Sequence, residues 1–418
     1  MGDCSLCGAK SHEGCTRTYC PKRIRYESFA KMQPLARLKD YSGPAPAPFV
    51  GRYGYPHVNV GILSTPTPPR DADELDAPRK WAALGYGVGD VVEVRSSLIN
   101  ARFTSNVRNP SRFVAVAQEV GMASRPADVE IKLKDRPGLA LHMDTHASPN
   151  GPAAIASSIN LNSNPTVSSK VEKVVSDTDW KAADAAWYLF NKGFDENHIM
   201  KMLSVGTLGA KAQRRPVPTR WSITASDDII GKRMIGELGD LPETDCSAFY
   251  GGYLGNHYLI LCFPGPWSYE LFETMVKPNL GRGPEEIESW TDYEGPYGRK
   301  DYASDTVGGY YACRIGVVER LIGMKRKGSV LALRFVTEDY SMPLGVWVVR
   351  EATRNSMATS PIMFSDENLM LCFASAKVKK TFGIDISGLL RRSKLLDLRR
   401  RQPRLDRFAS PDLQTEMN

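Results

Sequence analysis

A chain of 418 residues exceeds what one hydrophobic core usually holds, so two or more domains are the default. Hydrophobic residues at 42% and charged residues at 24% read as a folded globular protein and exclude a low-complexity chain. The formal charge of +7 is a mild bias toward polyanions, and no apolar run approaches the ~18 residues of a membrane-spanning helix.

The N-terminal "MGDCSLCGAK" has no apolar stretch and does not read as a secretory signal. Cys4, Cys7, Cys15 and Cys20 are spaced C-x2-C-x7-C-x4-C. A C-x2-C turn aims two thiolates at one ion, and a second pair completes a tetrahedron, so residues 1–25 read as a small structural zinc module. Lys10, Arg17, Lys22, Arg23 and Arg25 surround it and suit phosphate contact, while a purely structural cap explains it equally well. Cys246, Cys262, Cys313 and Cys372 sit inside apolar runs and read as buried free thiols, a usage that suits a reducing cytoplasm.

Residues 42–78 are rich in Pro and Gly and read as irregular chain. "VGDVVEVRSSLI" (88–99) reads as a strand, 111–123 as a helix and "DVEIKLK" (128–134) as a strand. "LHMDTHASPN" holds His142, Asp144 and His146. On a strand these alternate residues would share a face and could hold a catalytic divalent metal; on a loop that geometry fails. Residues 167–193 give the longest helical pattern, followed by helices at 195–204 and 226–239.

"QRRPVPTRWSITASDDIIGK" (213–232) places Arg214, Arg215 and Arg220 around two prolines, with Trp221 next. A stiff basic loop carrying an aromatic would grip a nucleic-acid strand by charge and stacking. Thr224 to Asp227 fits a capping box, which puts Asp227 and Asp228 at a helix start, either as metal or acid–base carboxylates or simply as caps beside a buried Trp. Residues 247–265 read as a strand pair and 267–276 as a helix, and the Gly-, Pro- and Tyr-rich 281–298 as a boundary. Then come helix 310–325, strands 329–337 and 345–352, and helices 369–380 and 386–401. The whole reads as α+β, mixed α/β, with no Walker lysine and no nucleophile elbow.

The tail "QPRLDRFA" follows a densely basic stretch. One 3₁₀ turn would set Gln402, Leu405 and Phe408 on one side, the arrangement of peptides that dock on the replicative sliding clamp (PCNA). Pro403 opposes a continuing helix, and Ala409 stands where such peptides usually carry a second aromatic.

The four-cysteine module, "RRPVPTRWSITASDD", "HYLILCFPGPWSYELFETMVKPN" (257–279), "GGYYACRIGVVERL" (308–321) and the tail peptide together resemble the archaeal Nre family of DNA repair proteins. The resemblance implies an N-terminal family domain over 26–290, a C-terminal one over 291–400 and a tail from 401 to 418. It also implies a cytoplasmic, nucleoid-associated role in DNA repair, with recruitment by PCNA. Cys4, Cys7, Cys15 and Cys20 carry over as zinc ligands, and Gln402, Leu405 and Phe408 as the clamp contact. It names no catalytic residue. A metal-dependent nuclease using His142, Asp144 and His146 stays open as the alternative.

Overall fold

The computed structural model describes residues 20–276 and 288–401. In chain order the first part contains α1 (Pro21–Met32), β1 (Asp40–Ala45), β2 (Ala47–Val50), β3 (His57–Ser64), α2 (Pro78–Ala83), α3 (Val88–Ser96), β4 (Ile99–Asn106), α4 (Arg112–Met122), β5 (Ala127–Leu133) and β6 (Ala153–Leu161). The strands form one sheet in the order β1-β5-β6-β4-β3-β2, antiparallel throughout except for the β4–β6 pair. The stretch expected to be irregular therefore supplies three strands. Its prolines misled because proline has no N–H for a ladder. Here Pro44 lies on β1 and Pro48 on β2, the two sheet edges, where a missing donor is tolerated.

Residues 88–99, expected as a strand, begin with the helix α3. Val88, Val91, Val92, Arg95 and Ser96 are its buried residues, spaced as one helical face. Its valines pack with Trp81 of α2 and with Trp347 and Val348 from late in the chain. The Asp90 carboxylate accepts from the Gly87 N–H at 2.7 Å and so starts the helix.

The rest contains α5 (Ser169–Ser176), α6 (Ala182–Asn191), α7 (Glu196–Val205), α8 (Thr219–Glu237), β7 (Ser247–Tyr253), β8 (Asn256–Phe263), β9 (Ser268–Met275), β10 (Ser289–Glu294), α9 (Val307–Gly323), β11 (Ser329–Val336), α10 (Trp347–Met357), β12 (Ile362–Met363), α11 (Glu367–Phe382), α12 (Ser387–Arg392) and α13 (Lys394–Arg401). The expected helix over 167–193 is broken: Asp177 accepts from the N–H groups of Asp179 and Trp180, a turn that separates α5 from α6. The final helix likewise breaks at Ser393, where Glu270 accepts from the Ser393 hydroxyl and the N–H groups of Lys394 and Leu395.

The second sheet runs β10-β9-β11-β8-β7-β12. Every residue of β11 is buried. Val330 and Ala332 face one core and Leu331, Leu333 and Phe335 the other, so helices cover both faces. Two expectations exchange places here. Residues 267–276 form β9 rather than a helix, and 345–352 lie largely in helix α10 rather than a strand. Both are short apolar runs buried on all sides, and periodicity does not separate those. The expected division at 290/291 falls inside β10, and β11 inserts between β8 and β9, so one sheet draws on both sides of that division. The chain is mixed α/β with two sheets. Among the described residues no helix is long and apolar enough to cross a membrane. Cys246, Cys262 and Cys313 are buried as expected and outside any disulfide, while Cys372 is exposed on α11.

A buried ion network joins the two regions. Arg350 of α10 donates through Nη1 to both Asp227 oxygens of α8, at 2.8 and 2.6 Å, and through Nε to Glu196 of α7 at 3.1 Å. Glu196 also accepts from Arg354 at 2.9 Å and from Arg79 of α2 at 2.7 Å. Burial would raise the Glu196 carboxyl, but Arg354, Arg350 and Arg79 hold it well below the usual range. Asp227 is fully buried and hydrogen-bonds Arg350, yet burial, ahead of the pull of that arginine, pushes it up to about 6. We expect Arg350→Met to destabilise the protein by about 3–5 kcal/mol, because it leaves two buried carboxylates underpaired. Urea unfolding measures this, and a loss below ~1 kcal/mol would refute it.

Candidate functional site

The segment between β5 and β6 carries the expected histidine–aspartate group, and it is a turn rather than a strand through its middle. His142 and Asn150 exchange backbone hydrogen bonds at 2.8 and 3.0 Å, closing a loop that Asp144 organises from inside. One Asp144 oxygen accepts from the His146 N–H at 2.7 Å and the Ala147 N–H at 3.3 Å, and the other faces Arg220 at 3.4 Å. Burial would raise the Asp144 carboxyl, but these donors hold it below the usual range. His146 is buried, with Nδ1 3.0 Å from the Thr145 hydroxyl and Nε2 without a partner. Its ring lies so close to Gly308, in the first turn of α9, that a Cβ there would stand 2.8 Å from Cδ2. The alternation that would have put His142, Asp144 and His146 on one face is lost. Among the described residues no group of three or more His, Cys, Asp or Glu gathers to hold a metal.

The basic stretch before α8 divides by role. Arg214 is structural: its guanidinium donates to the carbonyls of Val175, Asp177 and Gly209, each at 2.6 Å, and so ties down the end of α5. Arg215 is exposed. Arg220 and Trp221 lie in the first turn of α8, which starts at Thr219, earlier than expected. Thr224 to Asp227 is therefore helix interior and not a cap. Asp227 is fully buried on Arg350, while Asp228 pairs with Lys232 at 2.7 Å and Arg314 at 2.6 Å.

Two clefts meet at Arg220. One, of about 370 Å³, is lined by Arg52, Tyr53, Arg102, His142 and Asn150 together with Arg220. The Arg52 guanidinium lies 4.8 Å from the Tyr53 ring centroid, and that ring is 76% exposed. Among the described residues, neither Arg52 nor Arg102 forms an ion pair with a carboxylate. The other cleft, of about 630 Å³, is lined by Trp221, Thr224, Asp228, Tyr302 and Tyr311, again with Arg220. Trp221 is 52% exposed and Tyr302 50% exposed. Tyr302 stacks on Tyr311 at 5.5 Å, and Thr224 lines the same cleft. The first turn of α8 carries no acidic residue, so the positive end of a 19-residue helix faces this junction. Cation, aromatic face and helix terminus converge there, the combination that holds a phosphodiester strand with its bases out.

The sequence singled out Arg220 and Trp221, and its Tyr- and Gly-rich stretch 294–314, which holds Tyr302 and Tyr311, reads as a binding loop or a domain junction; it did not single out Arg52, Tyr53 or Arg102, nor bring any of these to Arg220. These come from β4, from α9 and from the loops after β2 and before α9. No local signal links them. The four residues Cys4, Cys7, Cys15 and Cys20 fall differently: only Cys20 is among the described residues, buried at the N-cap of α1. Gln402, Leu405 and Phe408 lie outside them.

The model of the archaeal Nre N-terminal region matches residues 15–280, and that of the Nre C-terminal region matches 294–408. The chain belongs to the archaeal Nre family. It is 38% identical over 325 residues to the DNA repair protein NreA of Haloferax volcanii, covering 76% of this chain and 77% of that one. Over 369 residues it is 34% identical to NreA of Archaeoglobus fulgidus, covering 87% and 91%. NreB of the same organism, also titled a DNA repair protein, is 33% identical over 398 residues, covering 94% and 97%. No solved structure matches the chain. The gap between the two Nre models spans 281–293, and its described part, from 288 on, includes most of β10.

In this Nre chain His146 is held neutral. Burial first, and Arg220 second, lower it to about 4, against a partial opposing pull from Asp144. A depressed pKa means that stability from this group is complete above pH 6.5 and is lost as pH falls toward about 4, by on the order of 3 kcal/mol. His146→Gln is expected to flatten that part of the stability–pH curve. Unchanged pH dependence in parallel denaturant titrations would refute it.

Proposed function

We propose that this chain acts in DNA repair, contacts DNA through the cleft at Arg220, and is recruited to its sites by the sliding clamp (PCNA). The observation that carries the DNA contact is the meeting of Arg52, Arg102 and Arg220 with half-exposed aromatic rings in adjoining clefts. Phosphates neutralise the arginines, and among the described residues Arg52 and Arg102 form no ion pair with a carboxylate, which makes phosphodiester the fitting ligand. The names of the NreA and NreB relatives supply the repair context. On this reading the protein works in the cytoplasm, at the nucleoid.

The tail peptide supplies location rather than chemistry. Leu405 and Phe408 form the apolar plug and Gln402 the polar contact, with the basic flank adding attraction. Tethering raises the local concentration of the DNA-binding cleft without high affinity at either contact. Cys4, Cys7, Cys15 and Cys20 make a thiolate set suited to structural zinc. Buried Cys20 immediately precedes α1, so a metal held there would anchor the N-terminal segment to the body.

Three measurements follow from this reading. Clamp binding by calorimetry should fall at least about tenfold in the Leu405→Ala/Phe408→Ala double variant, and equal binding would remove the tail from the function. Arg102→Ala should weaken DNA binding and reduce the salt dependence of log K by about one, whereas an unchanged slope would place the DNA elsewhere. Metal analysis of the purified chain should give about one zinc, lost in Cys4→Ser/Cys7→Ser; a metal-free chain would overturn the zinc assignment.

A further inference from the structure

We infer that the Trp221 cleft receives one unstacked base from an unpaired nucleotide in DNA, with the neighbouring phosphates on Arg220, Arg52 and Arg102. The inference rests on DNA contact at this site and specifies the kind of DNA. A paired base in a duplex shows only its edges, because its faces are covered by its neighbours; an unpaired or extruded base shows a face. The walls of this cleft include aromatic rings. Trp221 and Tyr302 each leave about half of their surface in water, and Tyr302 is braced from behind by stacking on buried Tyr311. The brace is itself fixed, since the Tyr311 hydroxyl accepts from the Ala303 N–H at 2.9 Å. Large aromatics held rigid and wet form a platform for another ring.

The polar groups of the cleft match a base edge. The Thr224 and Tyr302 hydroxyls can each donate or accept, and Asp228 offers an acceptor held in place by Lys232 and Arg314. The volume of about 630 Å³ lies within the ~300–1,000 Å³ of small-ligand pockets. The cationic groups stand next door, in the cleft of Arg52 and Arg102, and Arg220 lines both clefts. Base and phosphate are therefore received on opposite sides of one guanidinium, as a single strand crossing the start of α8 would require. Arg220 is poised for this. Its partner Asp144 stands at 3.4 Å, a long contact, and already accepts two backbone hydrogen bonds.

The test uses the full chain and two synthetic DNAs carrying 2-aminopurine, one fully paired and one with the 2-aminopurine as a single unpaired bulge. Wild type is expected to bind the bulged DNA about tenfold more tightly than the matched duplex and to quench the probe on binding. Trp221→Ala should lose about tenfold on the bulged DNA relative to the matched one, and Trp221→Phe should recover part of that difference. Arg102→Ala should weaken both DNAs alike. Equal wild-type affinity for the two DNAs, or a preference untouched in Trp221→Ala, overturns the single-base inference and leaves the DNA-binding reading standing. Absence of binding to either DNA at low salt overturns both.

Discussion

The guanidinium of Arg350 lies between two buried carboxylates, and the placement of the surrounding helices follows from that. An ion out of water must be paired, and here the pairing spans the chain: Arg350 from α10, Glu196 from α7 and Asp227 from α8, with Arg79 of α2 closing on Glu196. None of these helices can rotate or slide without stranding a charge. The distribution is uneven. Glu196 is surrounded by three arginines and stays ionised far below its ordinary range, whereas Asp227 has one and is shifted upward by burial. Arg350 favours the ionised form of Asp227 against burial, and Asp227 is the more easily protonated member.

That network reaches the candidate site through α8. Asp227 is seven residues, or about two turns, beyond Arg220, so pinning one end of that span to Arg350 aims the other. The adjacent Asp228 is held by Arg314, which is wholly buried and also donates to Glu294 at 2.8 Å. α8 is thus clamped by two arginines from the C-terminal region, and the first turn of the helix presents Arg220 and Trp221 on a rigid support. The clefts on either side take walls from β4 and from the loops after β2 and before α9. A site assembled from such separated segments depends on the two regions being one body. The Arg350 network, through Arg79 of α2 on Glu196, ties the first part to the helices of the second, and β11 between β8 and β9 ties the late chain to the second sheet.

The same body fixes where the tail departs. Glu270 of β9 caps the start of α13, and Arg399 near the end of that helix donates to the Pro264 carbonyl at 2.9 Å and pairs with Glu367 of α11. The chain therefore reaches residue 401 on a helix secured at both ends. The basic residues of 391–401 are partly spent on this attachment and not left wholly for a partner.

Sequence by itself determined the elements whose pattern admits one reading: the alternation of β5, the aromatic and β-branched β7–β8 pair, the amphipathic α4 and the long helix α9. It also carried the family, through motifs spread along the chain, and it singled out Arg220 and Trp221. It misread β9 and α10, because short apolar runs buried on nearly every side look alike as helix and strand, and it misread α3, whose β-branched valines suit a strand although their spacing buries one helical face. It misread β1 and β2 because proline is a breaker everywhere except at a sheet edge, and edges exist only once the sheet is assembled. Tertiary structure alone decided the site. It retired Arg214 to capping and Asp227 to the core, did not gather His142, Asp144 and His146 into a metal-holding group, and brought Arg52, Arg102, Tyr302 and Tyr311 to Arg220 from distant segments. Proximity between such segments is a property of the fold and leaves no periodicity for a sequence to display.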